Sequence, residues 1–121
     1  MIRTPVVRYR SETDETPCPY GNVQRIVTGG EGGVANVHVV SVTQGDAHLH
    51  KGYDEVYYVL SGNGTITMDK DDYALKPGAV VTIPAGMPHA LSSGTDAPLE
   101  FIIFGTPPMG MDDERAKPIK P

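Results

Sequence analysis

The chain has 121 residues, of which 39% are hydrophobic and 21% are charged, so it is long enough to form one domain with its own core. Its 10 basic and 15 acidic residues give a formal net charge of -5, and it has no Trp. The basic residues are scattered, which argues against a nucleic-acid platform. One cysteine, Cys18, cannot form an internal disulfide, and no apolar segment approaches the ~20 residues of a membrane span. We therefore expect a cytoplasmic protein that binds neither nucleic acid nor membrane.

Residues 1–20 are polar and contain proline, which predicts an N-terminal arm in which residues 6–10 can pair at a sheet edge. Short segments rich in β-branched and aromatic residues follow, separated by Gly, Pro and Asp. Asn63-Gly64 predicts a hairpin, and Asp71-Asp72 predict the next turn. The segments that we predict as strands are residues 24–28, 34–43, 54–62, 65–69, 73–75, 79–84, 89–93 and 99–105.

No stretch of ten residues has apolar side chains at the 3.6-residue spacing of a helix. Many short strands at this spacing predict an all-β antiparallel sandwich or barrel. We assign residues 21–106 to this barrel. Residues 107–121 are rich in proline and charge, and we expect a C-terminal tail that is loosely packed or laid along a partner.

Three of the four histidines and one glutamate form a pattern with metal-binding chemistry. His48 and His50 are two residues apart, so both rings project from one face of an extended strand. A turn at Gly52 would aim Glu55 into the same space, and His89 follows a turn stiffened by two prolines. Imidazole nitrogens and one carboxylate suit one divalent transition metal ion, such as Fe, Mn, Zn, Ni or Co, with a coordination position left open. Single histidines on strands are often only packed or solvated, so the complete spacing carries the prediction.

That spacing resembles the two motifs of the cupin family. Residues 45–62, GDAHLHKGYDEVYYVLSG, look like the first motif, H-x-H-x4-E-x6-G. Residues 78–89, GAVVTIPAGMPH, look like the second, G-x5-P-x-G-x2-H. The matched positions are His48, His50, Glu55, Gly62, Gly78, Pro84, Gly86 and His89. The resemblance covers roughly residues 34–105.

The resemblance implies a double-stranded β-helix, or jelly roll, with a metal ion near the middle of the barrel. It implies four metal ligands, which are His48, His50, Glu55 and His89. Two positions depart from the family pattern: Gly45 lies closer to the first histidine than the usual opening Gly, and Ser93 stands where the second motif usually ends in Asn. Neither position is a metal ligand in the family.

Three further residues carry open alternatives, and one strand segment bears on the oligomeric state. Tyr57 shares strand parity with Glu55, so it either offers a hydroxyl to a ligand as a catalytic group or fills the core. His38 lies in mid-strand and is either a pocket acid or base or a structural histidine. Tyr53 can line the mouth of the barrel, although we expect an exposed loop position. The alternating faces of residues 101–104 both look buried, which favours a homodimer, a state that is also common in the family.

The function predicted from these features is a metal-dependent enzyme acting on a small organic molecule. Apolar side chains dominate the inward positions, and Arg25 is the only Arg between residues 11 and 114. A sugar phosphate or a dicarboxylate would need more cations, so the sequence favours a fairly apolar or aromatic substrate and dioxygenase chemistry. The alternatives are a metal-dependent isomerase, lyase or decarboxylase, and a non-enzymatic module that binds a small molecule.

Overall fold

The structure is a computed structural model that describes residues 5–18, 20–29, 33–94 and 97–121, without the side chains of residues 44–46. The described residues form ten strands: β1 (Glu15–Cys18), β2 (Gly21–Val27), β3 (Asn36–Val42), β4 (Gln44–His48), β5 (Asp54–Ser61), β6 (Gly64–Met68), β7 (Asp71–Leu75), β8 (Val80–Ile83), β9 (His89–Ser93) and β10 (Leu99–Thr106). Two short 3-10 helices cover Arg10–Glu12 and Glu114–Ala116. In this part of the chain, no helix has the length and apolarity needed to cross a membrane.

The strands form two antiparallel sheets. One has six strands in the order β1-β2-β3-β10-β5-β8, and the other has four in the order β4-β9-β6-β7. The sheets share one core, because buried side chains from both of them, including Phe101 and Val59 from the first and Ile66 and Leu91 from the second, belong to one apolar cluster. This is the jelly-roll architecture that the sequence predicted.

Alternation along the strands decides which side chains reach this core. On β5 the residues Glu55, Tyr57 and Val59 are buried, whereas the intervening Val56 and Tyr58 are exposed. The same parity holds on β10, where Phe101 is 1% exposed and Phe104 is 39% exposed. The first buried face predicted for residues 101–104 is thus confirmed, and the burial of the second face against a partner stays a prediction.

The prediction of a hairpin at Asn63-Gly64 is wrong, because β5 and β6 do not pair with each other. β5 pairs with β8 and β10, whereas β6 pairs with β7 and β9, so the chain changes sheets at this point instead of folding back. Gly62 makes the corner: its φ is +81°, and a Cβ there would collide with the carbonyl oxygen of Pro98, so only glycine fits.

The next turn also lies elsewhere than predicted. Asp71 and Asp72 are the first residues of β7, and the turn is made by Asp69 and Lys70, with Asp69 at a φ of 57°. Asp tolerates this left-handed conformation better than most residues, and the run of aspartates in the sequence did not reveal which one would adopt it.

The N-terminal arm differs from its prediction. Residues 6–10 form no strand, and β1 pairs with β2 at the edge of the six-stranded sheet instead. The arm is fixed to the barrel by Arg10, whose guanidinium donates to both carboxylate oxygens of Glu100 at 3.2 and 2.7 Å. Residues 1–4 and 19 of the predicted arm lie outside the described residues.

The C-terminal segment is not loosely packed, which corrects the expectation for residues 107–121. The Asn36 side chain donates to the carbonyl oxygen of Met109 at 2.9 Å and accepts from its N–H at 3.2 Å. Further on, Leu49 and Ile119 exchange two backbone hydrogen bonds, both 2.9 Å long. The segment therefore returns to its own barrel and pairs with the residue between His48 and His50.

Candidate metal centre

Two of the candidate ligands face each other across neighbouring strands. His48 ends β4, His89 begins β9, and the two are register partners in the four-stranded sheet. Their ring centroids lie 4.3 Å apart. Cross-strand partners of this kind have closely spaced Cβ atoms, so the pairing of β4 with β9 brings together two histidines that are 41 positions apart in the chain.

His50 is held by the loop that leads into β9. Its carbonyl oxygen accepts a 2.7 Å hydrogen bond from the N–H of Gly86, a glycine with a φ of +85°. The neighbouring Ala85 donates its N–H to the Asp54 carboxylate, also at 2.7 Å. The proline-containing turn before His89 thus fixes the position of His50 as well, because the first and second motifs bind each other through their backbones.

Glu55 comes from the opposite, six-stranded sheet and is 6% exposed. Its Oε1 lies 3.5 Å from Nε2 of both His50 and His89. Among the described residues this oxygen is buried without a hydrogen-bond partner, as is Nδ1 of His50. A buried carboxylate oxygen without a partner is costly, and a cation held between it and the imidazoles would satisfy it.

The hydrogen bonds of the histidines suit metal binding. Nδ1 of His89 lies 2.9 Å from the carbonyl oxygen of Met87, which can only accept, so Nδ1 carries the proton and Nε2 presents its lone pair. Nδ1 of His48 lies 3.0 Å from the Tyr20 hydroxyl. Polar partners on the outer nitrogen are the usual way in which proteins orient metal-binding imidazoles.

Three histidines converge closely enough to hold a metal ion. One ligand nitrogen from each of His48, His50 and His89 lies within 4.8 Å of the others. Because this donor set contains no cysteine thiolate and belongs to a cavity, it resembles an open catalytic site more than a closed structural one. The residues present therefore fit a divalent transition metal ion.

His48, His50 and Glu55 line a cavity of about 220 Å³. Its walls are mainly apolar and aromatic, and they include Val40, Leu91, Phe101, Ile103, Tyr57 and Met111. Tyr57 is fully enclosed, and its hydroxyl lies 3.5 Å from Nε2 of His89. Burial, with Glu55 nearby, raises the pKa of Tyr57 well above its ordinary value, so the phenol keeps its proton and can donate a hydrogen bond.

The prediction that Tyr53 is an exposed loop residue is wrong. Its side chain is only 5% exposed and lines the cavity. Its ring packs edge-on to His50 at a centroid distance of 5.5 Å, and its hydroxyl occupies the space that a side chain at position 105 would need, which is why Gly105 stands there. Burial raises the pKa of Tyr53 to about 12. The sequence placed it on a loop, and only the packing of that loop against β10 buries it.

His38 also lines the cavity, one strand away from β10. It is 8% exposed, and its Nε2 is buried without a hydrogen-bond partner in the described part of the chain. Burial, together with the positive charge of Arg25, lowers the pKa of His38 to about 4. The imidazole is therefore neutral at pH 7, and its role as a pocket acid or base or as a structural histidine stays a prediction.

Sequence reasoning missed two contributors to the site. Tyr20 lies at the end of the predicted arm, yet its ring stacks on His48 at a centroid distance of 5.0 Å. The C-terminal segment contributes Met111, Ala116 and Pro118 to the cavity wall. Neither has a local signal, because both reach the centre only through the way the two ends of the chain fold onto the barrel.

Two facing antiparallel sheets with three histidines converging beside a cavity define a jelly-roll protein with a candidate metal centre. Residues 26–105 match the family described as Cupin domain, so the chain belongs to the cupin family. A crystal structure of a protein from Planctomyces limnophilus is similar, with 26% identity and a TM-score of 0.80 over 91% of this chain and 95% of that one.

Two curated relatives match shorter stretches. An uncharacterised protein of Methanocaldococcus jannaschii is 34% identical over 67 residues, which is 54% of each chain. An oxalate-binding protein of Thermotoga maritima is 33% identical over 55 residues, which is 46% of each chain. The chain therefore spans about half the length of these relatives.

Proposed function

We propose that the protein is a metal-dependent enzyme acting on a small organic molecule, with one divalent transition metal ion held by His48, His50, Glu55 and His89. The observation that carries the proposal is the buried Glu55 Oε1, which lacks a hydrogen-bond partner among the described residues and lies 3.5 Å from two imidazole nitrogens. When bound, such an ion supplies either redox chemistry with O2 or polarisation of a carbonyl, carboxylate or water.

The chain's own residues would bind and orient the substrate. The apolar cavity walls exclude water from the reacting atoms, which strengthens each polar contact made there. Tyr57 keeps its proton and would donate a hydrogen bond to the substrate beside His89. Its position next to the candidate ligands supports a catalytic role over simple core filling. His38, neutral at pH 7, would accept or donate a hydrogen bond from the opposite wall.

Dioxygenase chemistry is the first candidate. The cavity is small and its lining is dominated by Val, Leu, Ile, Phe and Tyr, which suits an apolar or aromatic substrate that reacts with O2. Such an enzyme would consume O2 only in the presence of its substrate and only in the metal-loaded state.

Isomerase, lyase or decarboxylase chemistry is the second candidate, and the Tyr57 hydroxyl favours it. A protonated phenol beside the metal centre is a group that can deliver a proton to a leaving group or a carbanion. A binding module without catalysis is the third reading, and the similarity to an oxalate-binding protein supports it.

One experiment separates these candidates. The metal-loaded protein is incubated with a panel of aromatic and aliphatic acids, while dissolved O2 is followed by electrode and products by mass spectrometry. Substrate-dependent O2 uptake that is lost in Tyr57→Phe or His50→Ala supports the dioxygenase. Product formation without O2 uptake supports the lyase or isomerase. Thermal stabilisation by a ligand that the protein leaves unchanged supports the binding module and contradicts an enzyme.

A homodimer in the cytoplasm is part of the same proposal. Apolar side chains on the outer face of β5 and β10 support it, since Val56, Tyr58 and Phe104 are 37%, 43% and 39% exposed. Exposed apolar patches of this kind often mark interfaces between subunits. Light scattering on the purified chain tests the proposal, and a monomeric mass at micromolar concentration would contradict the dimer.

A further inference from the structure

A polar pair on the far wall of the cavity is not used by the proposed metal centre. Arg25 on β2 and His38 on β3 are register partners, and both line the cavity. His38 is more than nine-tenths buried, and its Nε2 has no hydrogen-bond partner in the residues that the structure describes. A buried imidazole nitrogen in this state favours a ligand that can pair with it.

Arg25 adds a positive charge at the exposed side of the cavity and forms no ion pair with the described residues. Its Nη1 donates to the Thr16 hydroxyl at 3.2 Å, a contact with a neutral group that orients the guanidinium. Arg10 differs, because it forms a forked ion pair with Glu100. Among the described residues, therefore, Arg10 has a carboxylate partner and Arg25, at the cavity, has none.

The register of the sheet gives the separation between this pair and the histidine cluster. His38, Ile103 and Tyr57 are consecutive partners on β3, β10 and β5, so His38 and Tyr57 lie two strand spacings apart, about 10 Å. Tyr57 in turn contacts His89. A ligand that touches both walls is therefore about one ring and its substituents long, in keeping with the small volume of the cavity.

We propose that Arg25 and His38 bind the carboxylate of a small organic monoacid, whose apolar or aromatic body points towards the histidine cluster. The placement of the ligand's body beside the metal centre rests on the proposed function, whereas the carboxylate site does not. Arg25 supplies the charge and His38 supplies one N–H, since burial and the neighbouring guanidinium keep the pKa of His38 at about 4 and the ring neutral at pH 7. One cation suits a monoanion better than a phosphate, which usually recruits several.

The carboxylate site makes the substrate predicted from the sequence more specific. The lack of several arginines argued against sugar phosphates and dicarboxylates, and it still does. The fold, however, places the one barrel arginine at the cavity, where a single carboxylate can use it. The expected substrate is therefore apolar along its body and anionic at one end.

Calorimetric titration with benzoate and with its neutral counterpart benzamide tests the site. It is carried out on the protein as purified and again after EDTA treatment, for the wild type, Arg25→Gln, His38→Gln and the matched control Arg10→Gln. We expect tighter binding of benzoate than of benzamide, and a loss of roughly five- to tenfold in benzoate affinity in Arg25→Gln. Benzamide binding should change by less than about twofold, and Arg10→Gln should behave as wild type.

Three results would overturn the carboxylate site. The first is an equal affinity of the wild type for benzoate and benzamide, and the second is an equal effect of Arg25→Gln and Arg10→Gln on benzoate affinity. The third is benzoate binding that EDTA abolishes and Arg25→Gln leaves intact. The last would mean that the carboxylate binds at the metal instead. A preference for benzoate that depends on Arg25 in a protein that binds no metal would support this site while contradicting the metal centre, so the two proposals fail separately. Inorganic phosphate at equal concentration should not displace benzoate, and displacement would contradict recognition of an organic acid.

Discussion

The hydroxyl oxygen of Tyr20 lies 3.0 Å from Nδ1 of His48, and the two rings stack with centroids 5.0 Å apart. Tyr20 lies in the connection between β1 and β2, at one edge of the six-stranded sheet, so the contact joins this edge to a candidate ligand in the four-stranded sheet. It holds the imidazole in one orientation and leaves Nε2 as the nitrogen that can face a metal ion.

Tyr20→Phe should therefore weaken metal binding without unfolding the barrel. Loss of a hydrogen-bond partner on the outer nitrogen of a metal-binding histidine typically costs about tenfold or more in metal affinity. Competition with a chromophoric chelator measures the affinity, and Tyr73→Phe, on an exposed β7 position, serves as the control. An unchanged affinity in Tyr20→Phe would contradict a supporting role for this hydroxyl.

Asn36 is predicted to be the main anchor of the C-terminal segment. Asn36→Ala removes both hydrogen bonds to Met109 from a side chain that is 1% exposed, and it leaves a buried N–H without its partner. We expect the free energy of unfolding to fall by about 2–4 kcal/mol, measured by urea denaturation. Asn22→Ala, on an exposed position of β2, should change it by less than about 0.5 kcal/mol, and an equal loss in both variants would refute the anchor.

The bridge between Leu49 and Ile119 should slow the release of a metal ion. Ile119→Pro removes the N–H that donates to Leu49, the residue between two candidate ligands, and loosens that segment. We expect several-fold faster transfer of the metal to EDTA in a stopped-flow measurement. Lys120→Pro adds a proline at the next position without removing that donor, so equal release rates in the two variants would exclude the bridge as the cause.

His38 should make the free energy of unfolding decrease at acidic pH. Its folded-state pKa of about 4 lies below the ordinary histidine value of 6.5, so protonation favours the unfolded chain. The contribution of the neutral ring is fully present above pH 6.5 and is lost as the pH falls towards 4. Arg25 on the neighbouring strand strengthens the effect and Glu55 opposes it.

The comparison of wild type with His38→Gln isolates the contribution of His38, since the other three histidines are present in both proteins. In urea denaturation with EDTA present, the free energy of unfolding should fall by about 2–3 kcal/mol more in the wild type than in the variant between pH 7.5 and pH 4.5. Parallel losses in the two proteins would show that His38 is not held neutral by its surroundings.

The sequence was sufficient for the architecture and for the convergence of three histidines because both follow local rules. Alternation with a period of two determines which residues of β5 and β10 face the core, and two motifs with fixed spacing bring His48 and His89 onto neighbouring strands. The same alternation cannot say which strands pair. The change of sheets at Gly62 depends on the carbonyl of Pro98, far along the chain, so the Asn63-Gly64 pair was misread as a hairpin.

The contributions of the chain ends could not be predicted for a related reason. Tyr20, Met109 and Ile119 are placed by single long-range contacts with His48, Asn36 and Leu49. No periodicity marks such contacts, and polar, proline-rich composition predicts loose segments. The tail is fixed because the buried Asn36 amide and the backbone of Leu49 supply hydrogen-bond partners that composition alone does not reveal.

Metal content by mass spectrometry, on untagged protein purified without oxygen, tests the central claim most directly. We predict about one divalent transition metal ion per chain in the wild type and in His38→Gln, and a loss of the ion in His50→Ala and His89→Ala. Iron would favour the dioxygenase, and manganese, nickel or zinc would favour the lyase or isomerase. A wild-type chain that contains no metal and takes up none on reconstitution, or a His50→Ala variant that binds as much as the wild type, would contradict the account.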